Sequence, residues 1–140
     1  MTYFNWTPEL DVKVDAMNDQ HKILIDLMED LYQLNDNDAS KIQIQRKLDE
    51  LGSYTRKHFR QEELYMDTIN YEGRERHKII HRQLLEELDK HTENFKNHHQ
   101  LLNSDFFYFL RHWLTSHIKH IDIKYGNAAG EVAPAHASGM

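Results

Sequence analysis

Four stretches of this sequence carry their inward residues at alternating spacings of four and three, and short polar or glycine-containing breaks separate them. That period places the spaced residues on one side of an α-helix. In the first stretch, about residues 18–35, the stripe is Met17, His21, Leu24, Met28 and Leu31. In the second, about 40–68, it is Ile44, Leu48, Leu51, Thr55, His58, Glu62 and Tyr65. The third, about 72–98, presents His77, His81, Leu84, Leu88, His91 and Phe95. The fourth opens near Ser104, read as an N-cap. It carries Phe106, Leu110, Trp113, His117 and Ile121 to an end near Gly126, in the position of a C-terminal cap. The connections are short, so neighbouring helices should be antiparallel: an all-α, up-down-up-down four-helix bundle.

A chain of 140 residues is one domain of ordinary size. Residues 1–127 read as that bundle. The first 17 form an N-terminal arm that carries Phe4, Trp6 and Pro8, and residues 128–140 form a loose tail. The formal net charge is −6 with no basic block, which argues against nucleic acid and anionic membranes as partners. The longest apolar run, Phe106 to Leu110, is far short of a membrane span. The opening MTYFNWTPEL has no signal-peptide pattern, so a cytoplasmic location is expected. The acidic surface leans toward a monomer. There is no cysteine, which removes disulfides, thiol catalysis and cysteine-held clusters.

What stands out is histidine: 11 of the 140 residues. His21, His58, Glu62, His77 and His81 lie in phase with the leucines and so point into the core. Burying polar groups without partners is costly. A metal provides a common explanation, since neutral imidazole and carboxylate are natural ligands. His58/Glu62 and His77/His81 are each four apart and share a helix face. With His117 and Asp122 the set comprises five imidazoles and two carboxylates from all four helices. That is too many for one tetrahedral zinc, and it suits two octahedral-type ions sharing two bridging carboxylates. His117 and Asp122 are five apart, about 140° around an ideal helix. Asp122 must therefore reach in from the edge, or the helix must widen through a π-type turn.

The order Asn18-Asp19-Gln20-His21, His58-x-x-x-Glu62, His77-x-x-x-His81 and Trp113-Leu114-x-x-His117-x-x-x-x-Asp122, with Trp6 upstream, resembles the hemerythrin family, in particular single-domain bacterial hemerythrins. The resemblance covers about residues 4–126. Asn18 stands where Asp is frequent in that family, and no proline follows Asn70. The resemblance implies a non-haem di-iron centre with O2 as its ligand and an oxo or hydroxo bridge beside the carboxylates. By position, His77, His81 and His117 would hold one iron, His21 and His58 the other, and Glu62 and Asp122 would bridge. It also implies that Leu24, Phe59, Trp113 and Leu114 line the oxygen pocket; Leu114, one turn before His117 on the same face, is expected to screen the bound gas.

The expected function is thus oxygen storage, transport or delivery to an oxygen-consuming enzyme, without enzymatic activity of its own. The alternatives are an O2, nitric oxide or redox sensor, or a di-iron enzyme consuming peroxide or nitric oxide. Ferritin-like di-iron sites use Glu-x-x-His pairs, and no histidine here has a glutamate three residues before it. His-Glu-x-x-His is absent, which removes zinc-protease chemistry. His91, His98, His99, His112, His120 and His136 are given no role.

Overall fold

The structure is a computed structural model, and it describes residues 3–97 and 102–129. Its elements are α1 (Asp15–Asp36), α2 (Lys41–Thr68), α3 (Arg74–Asn97) and α4 (Ser104–Trp113). The fourth rod continues as a π-helix over Leu114–Asp122 and as an α-helix over 123–129. The result is the up-down-up-down four-helix bundle expected from the periodicity.

Local chemistry sets the breaks. Ser40 opens α2 with a capping box: its hydroxyl accepts from Gln43 N, and its own N–H donates to Gln43 Oε1. Asp38 and Asn70, at φ of 57° and 54°, take the left-handed conformation that turns the chain between α1 and α2 and between α2 and α3. The N-cap of α4 is Asn103, whose side chain accepts from Phe106 N; Ser104 is the first helical residue rather than the cap. Asn35 on α1 clamps the approach to α4, exchanging two hydrogen bonds of 3.0 Å with the Leu102 backbone.

The arm is shorter than expected, because α1 already begins at Asp15. It is tied down by backbone and side chain alike. Glu29 accepts from the N–H groups of Tyr3 and Phe4 at 2.8 Å, and Tyr3 stacks on Tyr32. Asn18 accepts from Val12 N at 3.0 Å and donates to Asp11 at 2.7 Å. Phe4, Leu10 and Val12 are buried against the bundle.

Gly126 is not a cap, and the helix does not stop there. It runs on to residue 129, and no glycine among the described residues has positive φ. The glycine is needed for close approach. A Cβ at this position would lie 1.7 Å from the Val12 carbonyl oxygen, so only a residue without one lets the arm lie across the fourth rod. Of the tail expected at 128–140, residues 128 and 129 are helical and 130–140 lie outside the described residues.

The bundle core is split along its length. Leu31, Ile44, Leu48, Leu51, Leu88, Phe106 and Leu110 make one half apolar. The buried histidines and acids occupy the N-terminal halves of α1 and α3 and the C-terminal ends of α2 and the fourth rod. In an antiparallel bundle these four places lie at the same end. Topology therefore gathers residues separated by up to 101 positions (His21 to Asp122) into one layer.

Candidate metal centre

Each rod contributes at its own register. On α2, His58 and Glu62 are one turn apart, and on α3 His77 and His81 repeat that spacing. On the fourth rod the wide turn solves the spacing problem. The Ile123 N–H reaches back to the Ile118 carbonyl, five residues away, and over this stretch His117 and Asp122 come onto one face. Asp122 is fully buried, whereas Ile121, which an uninterrupted α-period places inward, is only half-buried. All seven expected ligands are buried, none more than 5% exposed.

The seven side chains meet as two groups of potential ligand atoms, each group within 4.8 Å: Glu62, His77, His81, His117 and Asp122 in one, and His21, His58, Glu62 and Asp122 in the other. The two carboxylates belong to both and divide their oxygens between them. Glu62 Oε1 lies 3.0 Å from His81 Nε2, while Oε2 lies 3.1 Å from His21 Nε2 and 3.3 Å from His58 Nε2. Asp122 Oδ1 lies 2.9 Å from His117 Nε2 and 3.0 Å from His77 Nε2, while Oδ2 lies 3.1 Å from His21 Nε2. This is the disposition of carboxylates able to span two ions.

Two observations fit metal ions better than a hydrogen-bonded core. The Nε2 atoms of His77, His81 and His117, Glu62 Oε1 and both Asp122 oxygens are buried without a hydrogen-bond partner among the described residues, although an opposite donor or acceptor lies close by. Their lone pairs are therefore not aimed at each other's protons. Ligands at about 2.1 Å from a first-row ion, at right angles, are about 3.0 Å apart. The contacts of 2.9–3.3 Å have that spacing.

The electrostatics agree. Burial disfavours the Glu62 carboxylate, yet the neighbouring His58, His21 and His81 hold its pKa well below the ordinary range. Burial and Glu62 push Asp122 up, but His117 and His21 outweigh them and it too is lowered. Burial opposes the charged form of His21, and Asp122 and Glu62 overcome it, raising the group to about 9. The layer is a pair of buried anions seeking positive charge, which metal ions supply.

An outer ring of side chains holds these candidate ligands. His58 Nδ1 donates to Gln20 Oε1 at 2.7 Å, and His81 Nδ1 to Glu63 Oε2 at 2.9 Å. Phe59 stacks face to face on His81, with ring centroids 3.8 Å apart. Tyr125 is fully buried and donates to Glu62 Oε2 at 2.7 Å. Burial, then the charges of Glu62 and Asp122, push its hydroxyl pKa far up, so it stays a neutral donor. Sequence reasoning missed the roles of Tyr125, Gln20 and Glu63. Gln20 and Glu63 sit next to His21 and Glu62 in the chain, and Tyr125 falls three residues past Asp122. That position is inward on the helix period, but a tyrosine there reads equally well as core packing.

Beside the group with fewer histidines is a small cavity of about 10 Å³, room for one water-sized molecule. Leu24, Phe59, Trp113 and Leu114 line it, together with Ile118 and the candidate ligands His21, His58, His117 and Asp122. Of the histidines given no role, His91 packs against Phe106 and Phe109, and His112 and His120 are exposed. His98, His99 and His136 lie outside the described residues.

Comparison with known proteins places this arrangement. Residues 12–129 match the family model of the hemerythrin HHE cation binding domain. The chain is 33% identical to a hemerythrin of Sipunculus nudus over 89% of its length and 92% of that protein's. It is 30% identical to bacteriohemerythrin of Methylococcus capsulatus over 90% of its length and 96% of the relative's. The crystal structure of a wild-type hemerythrin superposes with a TM-score of 0.83 at 29% identity, covering 90% of this chain and 97% of that one. On the match of residues 12–129 and on relatives aligned over nearly their whole length, the chain belongs to the hemerythrin family.

Proposed function

We propose that this chain binds O2 reversibly at a di-iron centre and serves as an oxygen store or carrier, supplying an oxygen-consuming enzyme rather than acting as an enzyme itself. His77, His81 and His117 would hold one iron and His21 and His58 the other, with Glu62 and Asp122 available to both. The observation that carries the reading is the inequality of the two donor groups, five protein ligands against four. The four-residue group would leave an ion more open to an added ligand than the five-residue group would. The small apolar cavity adjoins both histidines of the four-residue group, His21 and His58, but only His117 of the three in the other.

When bound, the irons supply the redox chemistry and the coordination position that a diatomic gas requires. The protein's own part is enclosure and orientation. Leu24, Phe59, Trp113 and Leu114 keep water from the cavity, and the cavity's size limits what enters. Glu62 and Asp122 offset the positive charge of the ions. Tyr125 keeps one Glu62 oxygen in place. Among the described residues no helix is long and apolar enough to cross a membrane.

Oxygen uptake by the reduced, iron-loaded chain tests the proposal. The expected result is uptake in proportion to iron and recovery of the gas when oxygen pressure is lowered, over repeated cycles. Continuous oxygen consumption in the presence of a reductant would contradict it and favour an enzyme. In the same assay Leu114→Ala should autoxidise several-fold faster than the parent; an unchanged rate would remove Leu114 from the screening role.

A further inference from the structure

Only two of the five ligand imidazoles have a partner, among the described residues, for the ring nitrogen that faces away from the centre. His58 uses the Gln20 amide oxygen and His81 the Glu63 carboxylate. Nδ1 of His21, His77 and His117 is buried without a hydrogen-bond partner among the described residues. One tethered ring falls in each donor group, and the two tethers differ in charge.

The difference is built in. The Gln20 Nε2 amide donates to Gln61 Oε1, which turns the Gln20 oxygen toward His58 and fixes it as a neutral acceptor. Glu63 is an acid, and its side chain is 30% exposed against 1% for His81. A carboxylate accepting the Nδ1 proton draws it away and pushes electron density to Nε2, making the imidazole a stronger donor to a metal. A neutral amide does this far less.

We propose that Glu63 is a positioning residue that, acting through His81, makes the three-histidine iron the more electron-rich of the pair, with Gln20 keeping the two-histidine iron electron-poor. The inference rests on the di-iron reading above. The polarity has a purpose in that reading. The coordinatively complete ion is biased toward its ferric state, while the open ion keeps its acidity for an incoming ligand. Glu63 acts by charge more than by geometry, because Phe59 independently fixes the His81 ring plane through its face-to-face stack.

The test compares Glu63→Gln and Gln20→Glu with the parent, all loaded with iron. Two quantities are read: iron per chain and midpoint potential. Glu63→Gln should retain two irons, bind ferrous iron about 10-fold more weakly, and shift the potential positive. A tenfold loss of ferric preference is about 59 mV for one electron. Gln20→Glu should shift the potential negative. A merely structural role would move both potentials in the same direction or neither. An unchanged potential in Glu63→Gln with two irons retained, or parallel shifts in the two variants, would overturn the proposal. Should Glu63→Gln lose its iron, the sign in Gln20→Glu decides: a negative shift supports it, and none or a positive one overturns it. A parent chain that does not take up two irons would instead overturn the reading of the site on which this rests.

Discussion

At the scale of single residues, Glu62 and Asp122 carry the greatest burden, because each turns one oxygen to either histidine group. Replacing Glu62 with Ala removes a ligand atom from both groups at once. Glu62→Ala should hold fewer than two irons per chain while keeping most of the helical circular dichroism. Two irons retained would show that Glu62 does not bridge. Tyr125→Phe removes only the hydrogen bond to a buried carboxylate. It should cost about 1.5–3 kcal/mol in urea denaturation, and a parent-like midpoint would show the bond to be unimportant. In the metal-free chain, His21 is raised from 6.5 to about 9. A raised imidazole adds stability that is fully present below the unfolded value of 6.5 and is lost as pH rises through about 9. The stake is roughly 3 kcal/mol. The lowered Glu62 and Asp122 act with the opposite sign, losing their contribution on acidification. Metal-free protein should therefore be less stable at pH 9 than at pH 6.5 by denaturant titration, and equal stability at the two would refute the coupling. The seven clustered side chains were legible as a group because polar residues in phase with leucines have few explanations. Tyr125 was not, since tyrosine on a helix face is equally at home in an apolar core.

At the scale of elements, the fourth rod decides the geometry. The five-residue interval between His117 and Asp122 required either an edge approach or a wide turn, and the chain takes the wide turn over Leu114–Asp122. The extra residue moves the inward face from Ile121 to Asp122. Helix bodies followed from periodicity, because packing of an apolar stripe rewards one face over its whole length. Their ends were harder. Gly126 has the small side chain that a cap and a close contact both demand, and the sequence does not distinguish them. The arm's crossing at the Val12 carbonyl does. Gly126→Ala separates the two roles. Mid-helix Ala is intrinsically favoured over Gly by about 1 kcal/mol, but the clash with a backbone oxygen must move the arm. Net destabilisation of about 1–3 kcal/mol is expected, read from the urea midpoint. A stabilised variant would mean that the arm yields without cost.

At the scale of the whole molecule, the bundle divides into an apolar half that holds the rods together and a polar layer able to hold metal. The two are coupled. Ions that bind the folded layer and not the unfolded chain must stabilise the fold. Removing iron with a chelator should therefore lower the thermal midpoint, and restoring ferrous iron without oxygen should return it. An unchanged midpoint would mean that the apolar half alone sets stability. Antiparallel topology was readable from short connections, and it accounts for why ligands so far apart in the chain meet at one end. The fit of the family match over residues 12–129 extends the same architecture to relatives of about one-third identity. The most direct test of the central claim is iron content measured together with an absorption spectrum, in air and again after deoxygenation. Two irons per chain and a visible band that appears with oxygen and vanishes without it are expected. Zinc in place of iron, or iron whose spectrum ignores oxygen, would contradict it.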